Sequence, residues 1–122
     1  MNQAKRWVLL RHRDAPDDEA GLHYDLLLED NQGCRTWRLS EIPVCNGKEV
    51  PVSKAPIHKL EWLEKRESEV SQGRGWASRL AIGTFIGTLP DSETDPIAVN
   101  LDSETIAGRL EIKDGFCRIV SL

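Results

Sequence analysis

The 122-residue chain has three histidines, and two of them stand where a strand and its neighbour would bring them together. His23 and Asp25 are two residues apart in the period-two segment Leu22-His23-Tyr24-Asp25-Leu26-Leu27-Leu28-Glu29. On a strand this spacing puts both side chains on one face with Cα atoms roughly 6.6 Å apart, near enough to converge on one ion. His12, at the end of the preceding apolar segment, would complete a set of two imidazoles and one carboxylate. Such a set leaves positions on the far side of a divalent cation for water or a phosphate oxygen, as metal-assisted hydrolysis requires. A purely structural His–Asp hydrogen bond fits the same spacing, and the residues alone leave both readings open.

The elements that must position these residues read as short strands. Arg6 to His12, with Trp7, Val8, Leu9 and Leu10, suits a strand with bulky residues on both faces. Asp14 to Gly21 reads as an acidic loop. In the Leu22–Glu29 strand, Leu22, Tyr24, Leu26 and Leu28 form the core face, and His23, Asp25, Leu27 and Glu29 form the other. Asp30 to Gly33 is a turn, and Cys34 to Leu39 is its hairpin partner, a register that sets Leu26 against Trp37 and Asp25 against Arg38. Prolines at 43, 51 and 56 predict loop from Ser40 to Pro56, with one edge strand around Glu49 to Val52.

Apolar residues at 57, 60 and 63 predict a short helix or irregular turn, and Glu64 to Gly75 an exposed loop. Strands resume over Ser78–Leu89, with Gly83 and Gly87 as bend or bulge points, then Ile97–Leu101, Thr105–Ile112 and Phe116–Val120, the last two joined by an Asp114-Gly115 hairpin. About seven strands and one brief helical segment imply a mainly β fold, a small single-domain β-barrel spanning residues 1–122. Trp7, Tyr24 and Trp37 fall in apolar strand patterns and belong to its core.

Sixteen Lys and Arg against twenty Asp and Glu give a net charge of −4, so nucleic acid cannot be bound through bulk charge, and any such site is local. Lys54, Lys59, Lys65, Arg66, Arg74 and Arg79 gather positive charge around His58, interspersed with Glu61, Glu64, Glu67 and Glu69; a phosphate-tracking patch and a solvated polar face fit equally. Trp76 beside Gly73-Arg74-Gly75 reads as an aromatic that covers the barrel end or, less simply, stacks a base. Acidic residues between Asp91 and Glu104 argue against DNA at the C-terminal hairpin tips. Three widely spaced cysteines, Cys34, Cys45 and Cys117, suggest reduced thiols, and with no secretory or membrane-spanning segment the expectation is a cytoplasmic protein with no membrane partner.

Leu22 to Glu29 resembles the Leu-His-Tyr-Asp-Leu-Arg-Leu-Glu signature of the 3′-phosphoesterase domain of bacterial DNA ligase D, matching seven of eight positions. Leu10-Arg11-His12 resembles that family's Lys-His strand end, Thr36-Trp37 its Ser-Trp, and Ile57-His58-Lys59-Leu60-Glu61-Trp62 its Asp-His-Pro-Leu-Glu-Tyr. Ile106 to Leu110 is similar to a glycine-containing strand near the family's C-terminus. The resemblance implies a stand-alone relative, without ligase or polymerase domains, that is a manganese-dependent enzyme trimming 3′ ends in DNA repair. It removes a terminal ribonucleoside as a phosphodiesterase and the remaining 3′-phosphate as a phosphomonoesterase. Carried over, the metal ligands are His12, His23 and Asp25, and His58 contacts the scissile phosphate as donor or general acid.

Two positions depart from the family. Leu27 replaces an arginine that would grip phosphate, and Trp62 replaces a tyrosine. Arg38, across from Asp25, is expected to reach the phosphate space left at Leu27 and act in catalysis; an ion pair with Asp25 is the plainer alternative. The expected partners are 3′ ends of DNA or RNA–DNA strands and a DNA ligase or repair polymerase. The alternative function is a degenerate barrel of the same family that binds nucleic-acid ends or a repair protein without turnover. A third reading is an unrelated binding barrel with a structural His–Asp pair.

Overall fold

Large apolar residues on both faces of the first strands need cover on both, and the computed structural model provides it by packing on the two sides of one curved sheet. Residues 4–16, 21–71 and 73–122 are described; residues 17–20, in the middle of the expected acidic loop, lie outside them. The strands are β1 (Lys5–Arg13), β2 (Leu22–Glu29), β3 (Cys34–Leu39), β4 (Val50–His58), β5 (Glu67–Glu69), β6 (Trp76–Ile86), β7 (Ile97–Asp102), β8 (Gly108–Lys113) and β9 (Phe116–Val120). A 3-10 turn, Leu60–Leu63, follows β4. All strand pairings are antiparallel, in the order β1-β2-β3-β4-β9-β8-β7-β6-β5, and β1 also pairs with β6, so the sheet closes in a ring. Because β6 gives one edge to β1, its other edge serves β5 at the start and β7 at the end.

The interior of the ring is filled by one cluster drawing on all eight ring strands, among them Trp7, Leu9, Leu26, Leu28, Trp37, Phe85, Val99, Leu110 and Ile119. Tyr24 packs at its margin, and the core role expected for the three aromatics holds. A second, smaller cluster of Val8, Leu10, Leu27, Cys34, Leu63 and Ala77 lies on the outer face of β1–β3, under the 3-10 turn. Leu22, expected in the core, is instead 40% exposed at the start of β2.

Several expectations are corrected. The strand expected around Glu49 to Val52 is present as the start of β4, but β4 runs on through the rest of the expected loop to His58. Its prolines are tolerated because β4 is regularly paired with β9 only over Val50 and Pro51, and because Pro56 sits at a bulge, where ladder hydrogen bonds are not required. The expected Glu64–Gly75 loop contains β5, a polar strand formed by pairing to the edge of β6. The bulge in β6 leaves Leu80, not Gly83, without a direct partner on β1. Gly83 is required for close approach instead, since a Cβ there would run into the Asp102 carbonyl oxygen and stand 2.8 Å from Trp7 Nε1. Trp76 is the first residue of β6, half-buried, paired with Arg13 and Glu69. No described helix is long and apolar enough to cross a membrane.

Candidate metal centre

Strand pairing alone brings the first histidines together. His12 of β1 stands directly opposite His23 of β2, and Leu10 opposite Asp25, so all point to the outer face. On the far side of β2, Asp25 opposes Arg38 and Leu26 opposes Trp37, the register expected from the sequence. His58 arrives by a different device. Thr36 pairs with Ala55, but Cys34 pairs with His58, so β4 carries one extra residue between them. In an unbroken ladder Ile57 would oppose Cys34 and His58 would turn to the interior; the bulge at Pro56–Ile57 puts His58 on the outer face with Thr36 and Asp25.

His12, His23 and Asp25 are only 8%, 3% and 3% exposed, and their donor atoms all lie within 4.8 Å of one another. His12 Nδ1 is 3.4 Å from Asp25 Oδ2, and His23 Nε2 is 3.4 Å from Asp25 Oδ1. The two rings meet edge to face at 4.6 Å between centroids. Burial works to raise the Asp25 carboxyl pKa, but the close approach of His12 and His23 and the charges of His23 and His58 outweigh it, leaving Asp25 well below the usual carboxylate range. It is therefore ionised at neutral pH.

The donor chemistry fits a divalent cation. His12 Nε2 lies 2.7 Å from the main-chain oxygen of Arg74, which only accepts, so Nε2 carries hydrogen and a neutral His12 presents its lone pair from Nδ1 toward Asp25. A lone pair facing an ionised carboxylate at 3.4 Å needs positive charge beside it, either a second proton on the ring or a cation held between. Separations of 3.4 Å between donors are those of ligands bound at roughly 2.0–2.2 Å around one ion.

His58 is held separately. Its Nδ1 is 3.0 Å from the Pro56 carbonyl and 3.1 Å from Thr36 Oγ1, and that hydroxyl donates to the Cys34 carbonyl at 3.0 Å. Both neighbours therefore accept from Nδ1–H, and Nε2 is the nitrogen left for a ligand. His12, Asp25, Arg38, His58, Trp62 and Arg74 share the wall of one cleft of about 640 Å³. Lys59 and Lys65, from the expected basic segment, also line it, together with Glu61 and Glu69.

The structure thus brings all five expected site residues to one place: His12, Asp25, Arg38 and His58 line the cleft, and His23 is buried against His12 and Asp25. It corrects the reading of Leu27. That side chain is fully buried in the outer apolar cluster, so the space an arginine would use is filled with hydrocarbon rather than vacated for Arg38. Trp62 is half-buried between this cluster and the cleft, with Lys65 Nζ 4.5 Å from its ring centre. The contribution of the Arg74 carbonyl was not legible, since a main-chain oxygen has no residue signature. Thr36 was marked in the Thr36-Trp37 pair, but no role was assigned to it. No protein-family model matches the chain, and no curated protein matches it in sequence.

Proposed function

We propose that this chain is a metal-dependent 3′-end phosphoesterase, a small β-barrel of the ligase D 3′-phosphoesterase type acting on DNA or RNA–DNA strands in repair. The observation that carries the reading is the convergence of His12, Asp25, His58 and Arg38 on one cleft, with His23 buried against His12 and Asp25. His12, His23 and Asp25 would hold the cation, manganese by resemblance, and when bound it would supply Lewis acidity to a phosphate oxygen. Arg38 donates to nonbridging oxygens and needs no support from position 27. His58, with Nδ1 fixed on Pro56 and Thr36, offers Nε2 to the phosphate, as a donor when protonated, and its N–H can pass to the leaving oxygen. Lys59 and Lys65 extend positive charge along the cleft for a strand backbone, a local patch on an acidic protein. A cytoplasmic setting beside a DNA ligase or repair polymerase follows from the same reading.

The closed hydrocarbon environment of Leu27 favours a second reading, an end-binding relative without turnover. The test is manganese-dependent processing of a labelled primer–template ending in one ribonucleotide or in a 3′-phosphate, beside His23→Ala. Conversion to 3′-phosphate or 3′-hydroxyl products by the wild type alone is the expected result. End-dependent binding by folded, metal-loaded protein without conversion would establish the second reading instead.

A further inference from the structure

The turn joining β5 to β6 reaches back over the end of β1. Within it, Val70 N–H donates to the Gly75 carbonyl at 2.8 Å and Arg74 N–H to the Val70 carbonyl at 3.3 Å. The Arg74 guanidinium is folded onto the same turn, with Nε 2.8 Å from the Ser71 carbonyl and Nη2 2.7 Å from Ser71 Oγ. What the turn presents to the cleft floor is the Arg74 carbonyl, 2.7 Å from His12 Nε2. The approach is possible because residue 75 is glycine. Its φ is +101°, and a Cβ would collide with the Arg13 carbonyl oxygen and stand 2.8 Å from the Asp14 carbonyl carbon and 3.0 Å from Ala15 N. All three obstacles are main chain, so none can swing aside.

We infer that Arg74 positions the metal centre through its main-chain carbonyl, and that Gly75 is the residue that lets the turn come close enough to do so. The inference rests on the metal-binding reading above. A neutral His12 that served only as a structural partner would place its single hydrogen on Nδ1 and donate to Asp25. The carbonyl claims that hydrogen for Nε2 and turns the Nδ1 lone pair toward Asp25, the tautomer that a ligand bound through Nδ1 must have. For a neutral His12 the carbonyl thereby favours the metal-ligand reading, whereas a structural ion pair with Asp25 needs the ring doubly protonated.

The test uses the full chain labelled with nitrogen-15 and titrated with diamagnetic zinc, read by long-range proton–nitrogen correlation of the histidine rings. Zinc is expected on Nδ1 of His12, with Nε2 still protonated. Gly75→Ala should lower zinc affinity by about tenfold or more, as loss of a group orienting a ligand does, with cooperative unfolding retained. Arg74→Ala keeps the carbonyl and should stay within about threefold of wild type, well under that orienting-group loss. Zinc on Nε2 of His12, unchanged affinity in Gly75→Ala, or a large loss in Arg74→Ala overturns the inference while metal binding stands. No zinc response at any histidine of the wild type overturns metal binding and the inference together. If Gly75→Ala does not fold, the nitrogen assignment and Arg74→Ala still decide.

Discussion

Along the outer face of β1 and β2, Val8 opposes Leu27 at one end, and four residues on, His12 opposes His23. The two pairs are roughly 13 Å apart on the same surface, yet one end is hydrocarbon and the other is the cleft floor. The difference lies in the cover. At the first end, Leu63 of the 3-10 turn completes a cluster in which Val8, Leu27 and Cys34 are wholly buried. At the second end β4 and the β5–β6 turn stand as walls and leave the space between them open. Trp62 belongs to both, packing against the cluster on one side and lining the cleft on the other. A strand face supplies side chains; what closes over it decides whether they stabilise the fold or meet a ligand.

The sharpest break of this comparison is a pair of truncations, one at each end. His23→Ala should lower manganese-dependent turnover by about 100-fold or more, the scale of losing a group that stabilises developing charge. Leu27→Ala should cost about 2–5 kcal/mol of stability, as large-to-small core substitutions do, and leave metal affinity in place. Urea unfolding and metal titration on both variants separate the two effects. A Leu27→Ala protein that stays fully stable but loses turnover would mean the two ends are not divided as described.

Leu27→Arg comes next, since it installs the arginine of the phosphoesterase signature that the segment resembles. In the closed half a guanidinium is an uncompensated buried charge, and the expected result is a loss of about 3–5 kcal/mol. A stable Leu27→Arg protein with raised turnover would show that the 3-10 turn lifts away and that the phosphate space extends to position 27. A smaller effect belongs to Thr36→Val, which removes the hydroxyl accepting from His58 Nδ1. Turnover should fall by about threefold to tenfold, the equivalent of one hydrogen bond, with metal affinity unchanged and Thr36→Ser close to wild type. Equal losses in Thr36→Val and Thr36→Ser would detach Thr36 from His58.

How much of this was legible follows the range of the interactions. Strands β2, β3 and β9 have the bounds expected from the sequence, and Asp25 faces Arg38 as expected, because period-two patterning and a four-residue turn fix a hairpin locally. His12, His23 and Asp25 were legible for the same reason. Strand β4 was legible only at its start, around Val50 to Val52; the rest was hidden by Pro56, whose cost vanishes at a bulge, and β5 by a polar sequence that becomes a strand only against β6. Leu27 was misread because its cover, Leu63, lies far along the chain. Alternation places a residue on a face but does not say what will lie over it.

Thiol chemistry reports on that cover more finely than any truncation. Burial pushes the Cys34 thiol up to about 11, helped by Glu29, and Cys117, inside the ring, up to about 12, while Cys45 is exposed. Only the thiolate reacts, so at pH 8 a thiol reagent should titrate one cysteine quickly in the native protein and three after unfolding. Cys34 shares the closed cluster with Leu27 and Leu63, whereas Cys117 sits among the side chains of the opposite face. Leu27→Ala should therefore speed the slow labelling of Cys34 through local opening of the 3-10 turn and leave Cys117 as slow as before. Equal acceleration of both would mean that the variant loosens the whole ring, and that the outer cluster is no separate unit of stability.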